Sequence, residues 1–318
     1  MIYVLVLVVL FALELLYFKV ADRFNIIDKP NERSSHSSIT LRGGGVVFYF
    51  GALIYFIYSG FQYPWFFIGL TLMTLISFLD DIFTLSNKIR LLIHFSSVLL
   101  MAYQLELFDM PWYYLLIGFI VVVGVINAYN FMDGINGITA CYSLSIGALL
   151  VIVNRRLNFI DQDLLVFSLS GVLVFTFFNF RAKAKCFAGD VGSVAIAYIL
   201  LFALGLLVLK AGNLIYVLFL VVYGVDAIWT IVRRIVRKEN IFEAHRSHLY
   251  QFLGNEAGVN KLVVSFLYGL IQLGIGLLVI QFSTQPLQVQ LIFSICLICI
   301  LSIIYLILKA YIIKVYVK

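Results

Sequence analysis

The sequence predicts an all-α polytopic membrane protein with about 11 (10–11) transmembrane helices. Three observations carry that prediction. Hydrophobic residues make up 63% of the 318 and charged residues only 12%, whereas a soluble surface needs about a quarter charged. Apolar runs of roughly 18 residues or more recur along the chain, each long enough to cross a hydrocarbon core of about 30 Å. The mean hydropathy is +1.07. No hydrophilic stretch is long enough for a separate soluble domain, so 1–318 reads as one integral membrane domain.

The runs fall near 1–18, 44–60, 64–79, 91–107, 111–128, 137–154, 164–180, 192–209, 213–231, 261–282 and 288–308. The first lacks a basic leader and a small-residue cleavage site, and reads as a retained span and not a signal peptide. Helix is the required form, because backbone groups in lipid find no water. The runs 64–79 and 164–180 are the weakest, which is what separates ten spans from eleven. Of the 22 Lys and Arg, 19 fall on loops 19–43, 80–90, 129–136, 181–191, 232–260 and the segments beside them or at the C-terminus. Only Arg155, Arg156 and Lys210 fall on the other side. That asymmetry makes the first set cytoplasmic and the N-terminus external. The net charge of +6 lacks the dense basic stripe of a nucleic-acid binder. Cys141 and Cys186 are isolated, and Cys296 and Cys299 lie inside an apolar run, which fits packing better than metal or redox chemistry.

Polar motifs gather on the cytoplasmic side, at helix ends. Asp80 and Asp81 close the third run. Adjacent carboxylates at the membrane edge either pair with Lys88 or Arg90, or organise a divalent cation with phosphate oxygens. The fifth run leads into Asn127-Ala-Tyr-Asn130-Phe-Met-Asp133-Gly134-Ile-Asn136-Gly137. Asn127, Asn130 and Asp133 recur every three residues, a spacing that lines one polar cavity; a plain glycine-capped helix end is the alternative. Phe187-Ala-Gly-Asp190-Val-Gly-Ser193 puts a carboxylate at the start of the eighth run, either as a simple N-cap or as a ligand. Arg181, Lys183 and Lys185 precede it and suit a phosphate. A fourth loop carries His245-Arg246-Ser247-His248-Leu249-Tyr250-Gln251. Two histidines are too few for zinc, and diphosphate contacts suit them better. Asp226 is expected to pair with Arg233 or Arg234, or else to meet ligand. Loop 19–43 holds Asp28-Lys-Pro-Asn-Glu-Arg-Ser-Ser-His36, then Arg42 before three glycines. Together these groups suit metal-assisted phosphoryl transfer on a nucleotide, in an active-site cleft on the cytoplasmic face.

In order and spacing these motifs resemble the polyprenyl-phosphate N-acetylhexosamine-1-phosphate transferases, the family that includes the lipid I synthase of peptidoglycan assembly. The resemblance runs from about Asp28 to Gln251. It implies that Asp190 ligates Mg2+, with Mn2+ as a substitute, and that Asp80, Asp81 and Asp190 are catalytic, one of the paired acids serving as base or as organiser of phosphate and metal, with Asp80 sharing the metal. It also implies that Asn127, Asn130, Asp133 and Asn136 line the nucleotide-sugar site. His245, Arg246 and His248 would contact sugar-nucleotide and pyrophosphate, and Lys88, Arg90 and Arg42 would meet phosphates. Some positions depart from the family's commonest pattern. Asn136 replaces a second Asp, Thr40-Leu41-Arg42 replaces Thr-Pro-Arg, and the last motif lacks consecutive histidines. These features resemble the O-antigen and capsule branch.

The implied reaction passes an N-acetylhexosamine-1-phosphate, of the GlcNAc or deoxy-amino-sugar type, from a UDP-sugar to undecaprenyl phosphate. UMP leaves, and cell-surface polysaccharide assembly begins. The expected partners are a UDP-N-acetyl amino sugar, polyprenyl phosphate and membrane lipid, with no nucleic acid; a homodimer is left open. The expected location is the bacterial cytoplasmic membrane. A secondary transporter is the rival, but it would carry charges near mid-membrane and repeated halves. A membrane prenyltransferase would need two Asp-x-x-x-Asp motifs, which the chain lacks.

Overall fold

The structure, a computed structural model, describes residues 1–28, 39–83, 85–240 and 246–317. Each of the eleven apolar runs is helical. In order they form α1 (Ile2–Arg23), α2 (Val46–Tyr58), α3 (Pro64–Phe83), α4 (Asn87–Gln104), α5 (Trp112–Met132), α6 (Ile138–Leu157), α7 (Gln162–Asn179) and α8 (Gly189–Ala211). Then come α9 (Val221–Val236), the one-turn α10 (Leu249–Gln251), α11 (Lys261–Phe282) and α12 (Leu287–Tyr316). Among the described residues, nine helices are long and apolar enough to cross a membrane, counting Leu214–Val236 as one. The chain is a multi-pass membrane protein.

The two runs outside that nine have local reasons. At 13 residues α2 is about 20 Å long, short of the hydrocarbon thickness. Its start is given up to the Gly43-Gly44-Gly45 turn, and it packs inside the bundle against α7 and α8. The first turns of α4 carry Lys88, Arg90 and His94, which lower its apolarity.

The centre of the bundle is α8, 83% buried over its apolar window, while α12 is only 6% buried and lies at the periphery. A seven-residue 3-10 segment, Leu214–Leu220, runs directly into α9. Such a junction frees backbone groups that lipid cannot satisfy. Gln272 of α11 supplies the partners: its Nε2 donates to the Leu218 carbonyl at 3.1 Å, and its Oε1 accepts from the Val222 amide at 3.1 Å.

One small sheet supplements the helices. Strand β1 (Ile27–Asp28) pairs antiparallel with β2 (Thr40–Leu41), with Ile27 opposite Leu41 and Asp28 opposite Thr40. Leu41 also bridges Cys186 in parallel. This pairing draws the segment after α1 against the segment before α8, and so sets Arg42 beside Asp190.

Candidate active site

Six segments meet at one end of the bundle: β2, the C-terminus of α3, the start of α4, the end of α5, the turn after it and the N-terminus of α8. Their meeting is fixed by backbone first. The Gly44 amide donates to the Phe187 carbonyl at 2.9 Å and the Gly45 amide to the Ala188 carbonyl at 3.1 Å. A Cβ on Gly45 would stand 2.3 Å from the Gly192 Cα. Only glycine permits so close a crossing of the turn and the first turn of α8. Tyr17 of α1 donates to the Arg42 carbonyl at 2.6 Å, holding the next residue down the turn.

The paired acids then divide. Asp81, with a side chain 0% exposed, sits 2.7 Å from an Arg42 guanidinium nitrogen. It also accepts the backbone amides of Asp190 and Val191, each at 3.3 Å. It is therefore Asp81, reaching across from α3, that satisfies the free amides at the start of α8. Asp190 is not that helix's cap. Asp80 pairs with Arg90 at 2.8 Å and accepts the Leu85 amide at 2.7 Å.

Asp190 is the most open of the three acids, its side chain 22% exposed against 10% for Asp80. Arg42 lies 3.4 Å from one of its oxygens, and Arg90 lies 3.8 Å from the other. Asn130 Nδ2 donates to Oδ2 at 3.3 Å. That amide is itself oriented, because Ser193 Oγ donates to Asn130 Oδ1 at 3.1 Å. Ser193 had only a place in the motif by sequence; its spacing of three from Asp190 on a first helical turn was the available signal. Burial works against the Arg42 charge, but Asp81 and Asp190 outweigh it and hold the guanidinium above its usual range. Asp133 faces the same group of charges. Burial pushes its carboxyl up to about 6 against a 2.6 Å hydrogen bond from Thr139, and Asp190 adds to the rise.

Several expected contacts are arranged differently. Asn127 is exposed and donates to the Val123 carbonyl of its own helix, so it does not line a cavity with Asn130 and Asp133. The reason is the helical drift of three-residue spacing, which carries position 127 out of the face shared by 130. Asn136 donates to the carbonyls of Arg181 and, at 3.4 Å, Ala182, tying one loop to another. Lys88 is exposed on the first turn of α4. Arg246 pairs with Glu256 at 3.4 Å. His248 is buried, and its Nδ1 lies 3.2 Å from Asp226. Asp226 thus takes His248, and not Arg233 or Arg234, as its ionisable partner; Arg234 pairs with Glu239. His245 and the Lys29–Ser38 part of the first loop lie outside the described residues.

The fit to a divalent cation follows from these placements. Among the described residues no three His, Cys, Asp or Glu side chains form a metal-binding group. Mg2+ accepts one or two carboxylates, completed by waters and substrate phosphates, and Asp190 suits that. Arg90 bridges Asp80 at 2.8 Å and Asp190 at 3.8 Å, so the Asp80 carboxylate is engaged by a guanidinium in this arrangement.

The family description "Glycosyl transferase family 4" matches residues 63–209. A Bacillus subtilis protein named "Probable undecaprenyl-phosphate N-acetylglucosaminyl 1-phosphate transferase" is 26% identical over 301 residues, covering 86% of this chain and 83% of the relative. The undecaprenyl-phosphate alpha-N-acetylglucosaminyl 1-phosphate transferase of Thermotoga maritima is 27% identical over 262 residues, covering 77% and 80%. The enzyme of the same name from Yersinia pestis is 28% identical over 217 residues, covering 61% and 59%. The chain is thus similar along most of its length to proteins named as undecaprenyl-phosphate N-acetylglucosaminyl 1-phosphate transferases. The segment matched by the family description runs from α3 to α8 and contains Asp80, Asp81, Arg90, Asn130, Asp133 and Asp190. Arg42, Arg246 and His248 reach the same end from outside it.

Proposed function

We propose that this protein moves N-acetylglucosamine-1-phosphate from UDP-N-acetylglucosamine to undecaprenyl phosphate and releases UMP. The observation that carries the proposal is the open carboxylate of Asp190, set between two guanidiniums and an oriented amide. It stands at a membrane-edge helix end, in a chain similar along most of its length to enzymes named for that transfer.

The lipid phosphate is largely dianionic near neutral pH, as phosphomonoesters with a second pKa of about 6 are. Its oxygen needs little activation as a nucleophile. The obstacle is bringing it to an anionic diphosphate. Arg42 and Arg90 place fixed positive charge on both sides of Asp190, where it offsets that repulsion without reorganising. Asn130 offers a neutral donor beside them. Held by Asp190, Mg2+ supplies further charge neutralisation and alignment of the diphosphate oxygens; Mn2+ suits the same carboxylate. Catalysis then rests on positioning and electrostatics more than on proton transfer. The 19-to-3 distribution of basic residues supports a cytoplasmic active site and an external N-terminus in a bacterial inner membrane. The product is a lipid-linked sugar suited to priming a cell-surface polysaccharide.

The test is incubation of membranes containing the protein with radiolabelled UDP-N-acetylglucosamine and undecaprenyl phosphate. The expected result is equimolar UMP and lipid-linked product, lost on chelation and restored by Mg2+. Absence of UMP release overturns the proposal, and a panel of UDP-sugars tests the choice of sugar. Asp190→Asn is expected to stay folded in detergent and to lose Mg2+-dependent transfer. Wild-type turnover by that variant removes the metal assignment.

A further inference from the structure

Beyond residue 209 a buried polar cluster joins three helices that the site described above does not use. Asp226 of α9 is buried, and among the described residues its carboxylate meets three hydrogen-bond donors and one imidazole. Oδ1 accepts from the Leu249 amide at 3.0 Å and from Thr230 at 3.3 Å, and lies 3.2 Å from His248 Nδ1. Oδ2 accepts from Tyr268 of α11 at 2.8 Å. A carboxylate this deep is retained where its donors are fixed, and it fixes them in return.

The cluster extends in two directions. On one side, Thr230 Oγ1 lies 2.9 Å from the Tyr305 hydroxyl and accepts from Lys309 Nζ at 3.3 Å. Lys309 also bonds Tyr305 and lies 4.8 Å from its ring centroid. The peripheral α12 thereby sends a buried cation toward Asp226. On the other side, the His248 ring stacks on Tyr250, with centroids 5.8 Å apart. The Tyr250 hydroxyl donates to the Phe131 carbonyl at 2.9 Å, just before Asp133. A Cβ on Gly134 would stand 2.1 Å from that hydroxyl, so the glycine makes the contact possible. Ser265 adds a 2.7 Å bond to the Asn136 carbonyl.

We propose that Asp226 is a positioning residue for the nucleotide-sugar side of the site. Through His248 and Tyr250 it sets the Arg246–Tyr250 turn against the Asp133–Gly134 loop, and Lys309 braces it from α12. An Asp–His contact fixes ring orientation and tautomer, and here the ring is the link between a transmembrane acid and a substrate-side loop. The proposal rests on the reading given under Proposed function, in which that end of the protein receives a UDP-sugar. A purely structural cluster would differ in its effects. Its loss would lower the yield of folded protein and leave the folded fraction with unchanged affinity.

The test compares wild type, Asp226→Asn, Lys309→Met and the double variant, purified in detergent. Initial rates are read against UDP-N-acetylglucosamine and, separately, against undecaprenyl phosphate. Titration calorimetry reads UDP-sugar binding apart from turnover. Asp226→Asn is expected to raise KM and Kd for the UDP-sugar about tenfold while KM for the lipid phosphate stays within about twofold. Lys309→Met is expected to act in the same direction by about threefold, and the double variant to be no worse than Asp226→Asn alone, because coupled groups are not additive. Unchanged UDP-sugar affinity, an equal rise in both KM values, or multiplicative effects of the two substitutions each overturn the proposal. If Asp226→Asn does not fold, Tyr268→Phe removes one donor and keeps the carboxylate. It is expected to raise the UDP-sugar KM about threefold, and an unchanged KM overturns the proposal. A wild type that neither binds nor turns over the UDP-sugar sinks the functional reading together with this one. A wild type that does both, matched by Asp226→Asn, sinks this one alone.

Discussion

The Asp81 carboxylate accepts the backbone amides of Asp190 and Val191 at 3.3 Å each while holding Arg42 at 2.7 Å. One acid of the adjacent pair is therefore spent on aiming another acid. Its side chain is 0% exposed and is held by these three donors.

Asp81→Asn should accordingly act on stability and geometry, not on proton transfer. An amide cannot accept both backbone donors and the guanidinium with equal strength, so the loss is about 1–3 kcal/mol. Thermal unfolding in detergent should shift downward, and the pH–rate profile of the residual activity should keep the wild-type shape. A displaced profile would return Asp81 to the role of base.

Arg42→Lys tests the bridge to the two carboxylates. One guanidinium nitrogen spans Asp81 at 2.7 Å and Asp190 at 3.4 Å. A lysine is a point charge on a flexible stem and does not reproduce the fork. The kcat/KM should fall by about tenfold or more, roughly 1.4 kcal/mol, with little change in thermal midpoint. Wild-type efficiency in Arg42→Lys would show that charge alone is sufficient there.

Gly45→Ala should be poorly tolerated, because the new methyl meets the Gly192 backbone and neither segment can give way. Overpacking of this kind costs about 1–3 kcal/mol or more. Gly124→Ala in α5 is the control, since nothing lies within 4 Å of its added Cβ. It should be neutral or stabilising by up to about 1 kcal/mol. Folded yield and thermal midpoint of the two variants, measured side by side, check the pair.

Asp133 gives stability a pH dependence of unusual sign for an acid. Its folded carboxyl is raised to about 6 from an ordinary 3.8, so the folded state holds the proton more tightly than the unfolded state. Its contribution is full below about pH 4 and is lost as pH rises through about 6, on the order of 3 kcal/mol in all. Asp133→Asn should remove that slope. Thermal midpoints of both proteins across this range measure it, and parallel curves would exclude the effect.

Much of the fold was legible in the sequence because the rules that fix spans are local. Hydropathy over about 20 residues reports a helix that lipid requires, and all eleven runs are helical. The motifs at Asp80-Asp81, Asn130 to Asp133 and Asp190 were legible for the same reason: each is a short string at a helix end. The shortness of α2 was not, since its start is consumed by a turn whose partner is residues 187–188.

The sequence by itself determined that the chain crosses the membrane many times and that its acids, amides and cations sit at one set of helix ends. Only the tertiary structure decided which acid stays open and which is consumed. Asp81 and Asp190 are 109 residues apart, and Arg42 and Asp190 are 148 apart. No periodicity relates positions so distant. Their pairing depends on how α3 and β2 pack against the first turn of α8, and the same holds for His248, whose partner Asp226 lies inside the bundle. A carboxylate's role is set by the donors that surround it, and those donors come from other helices.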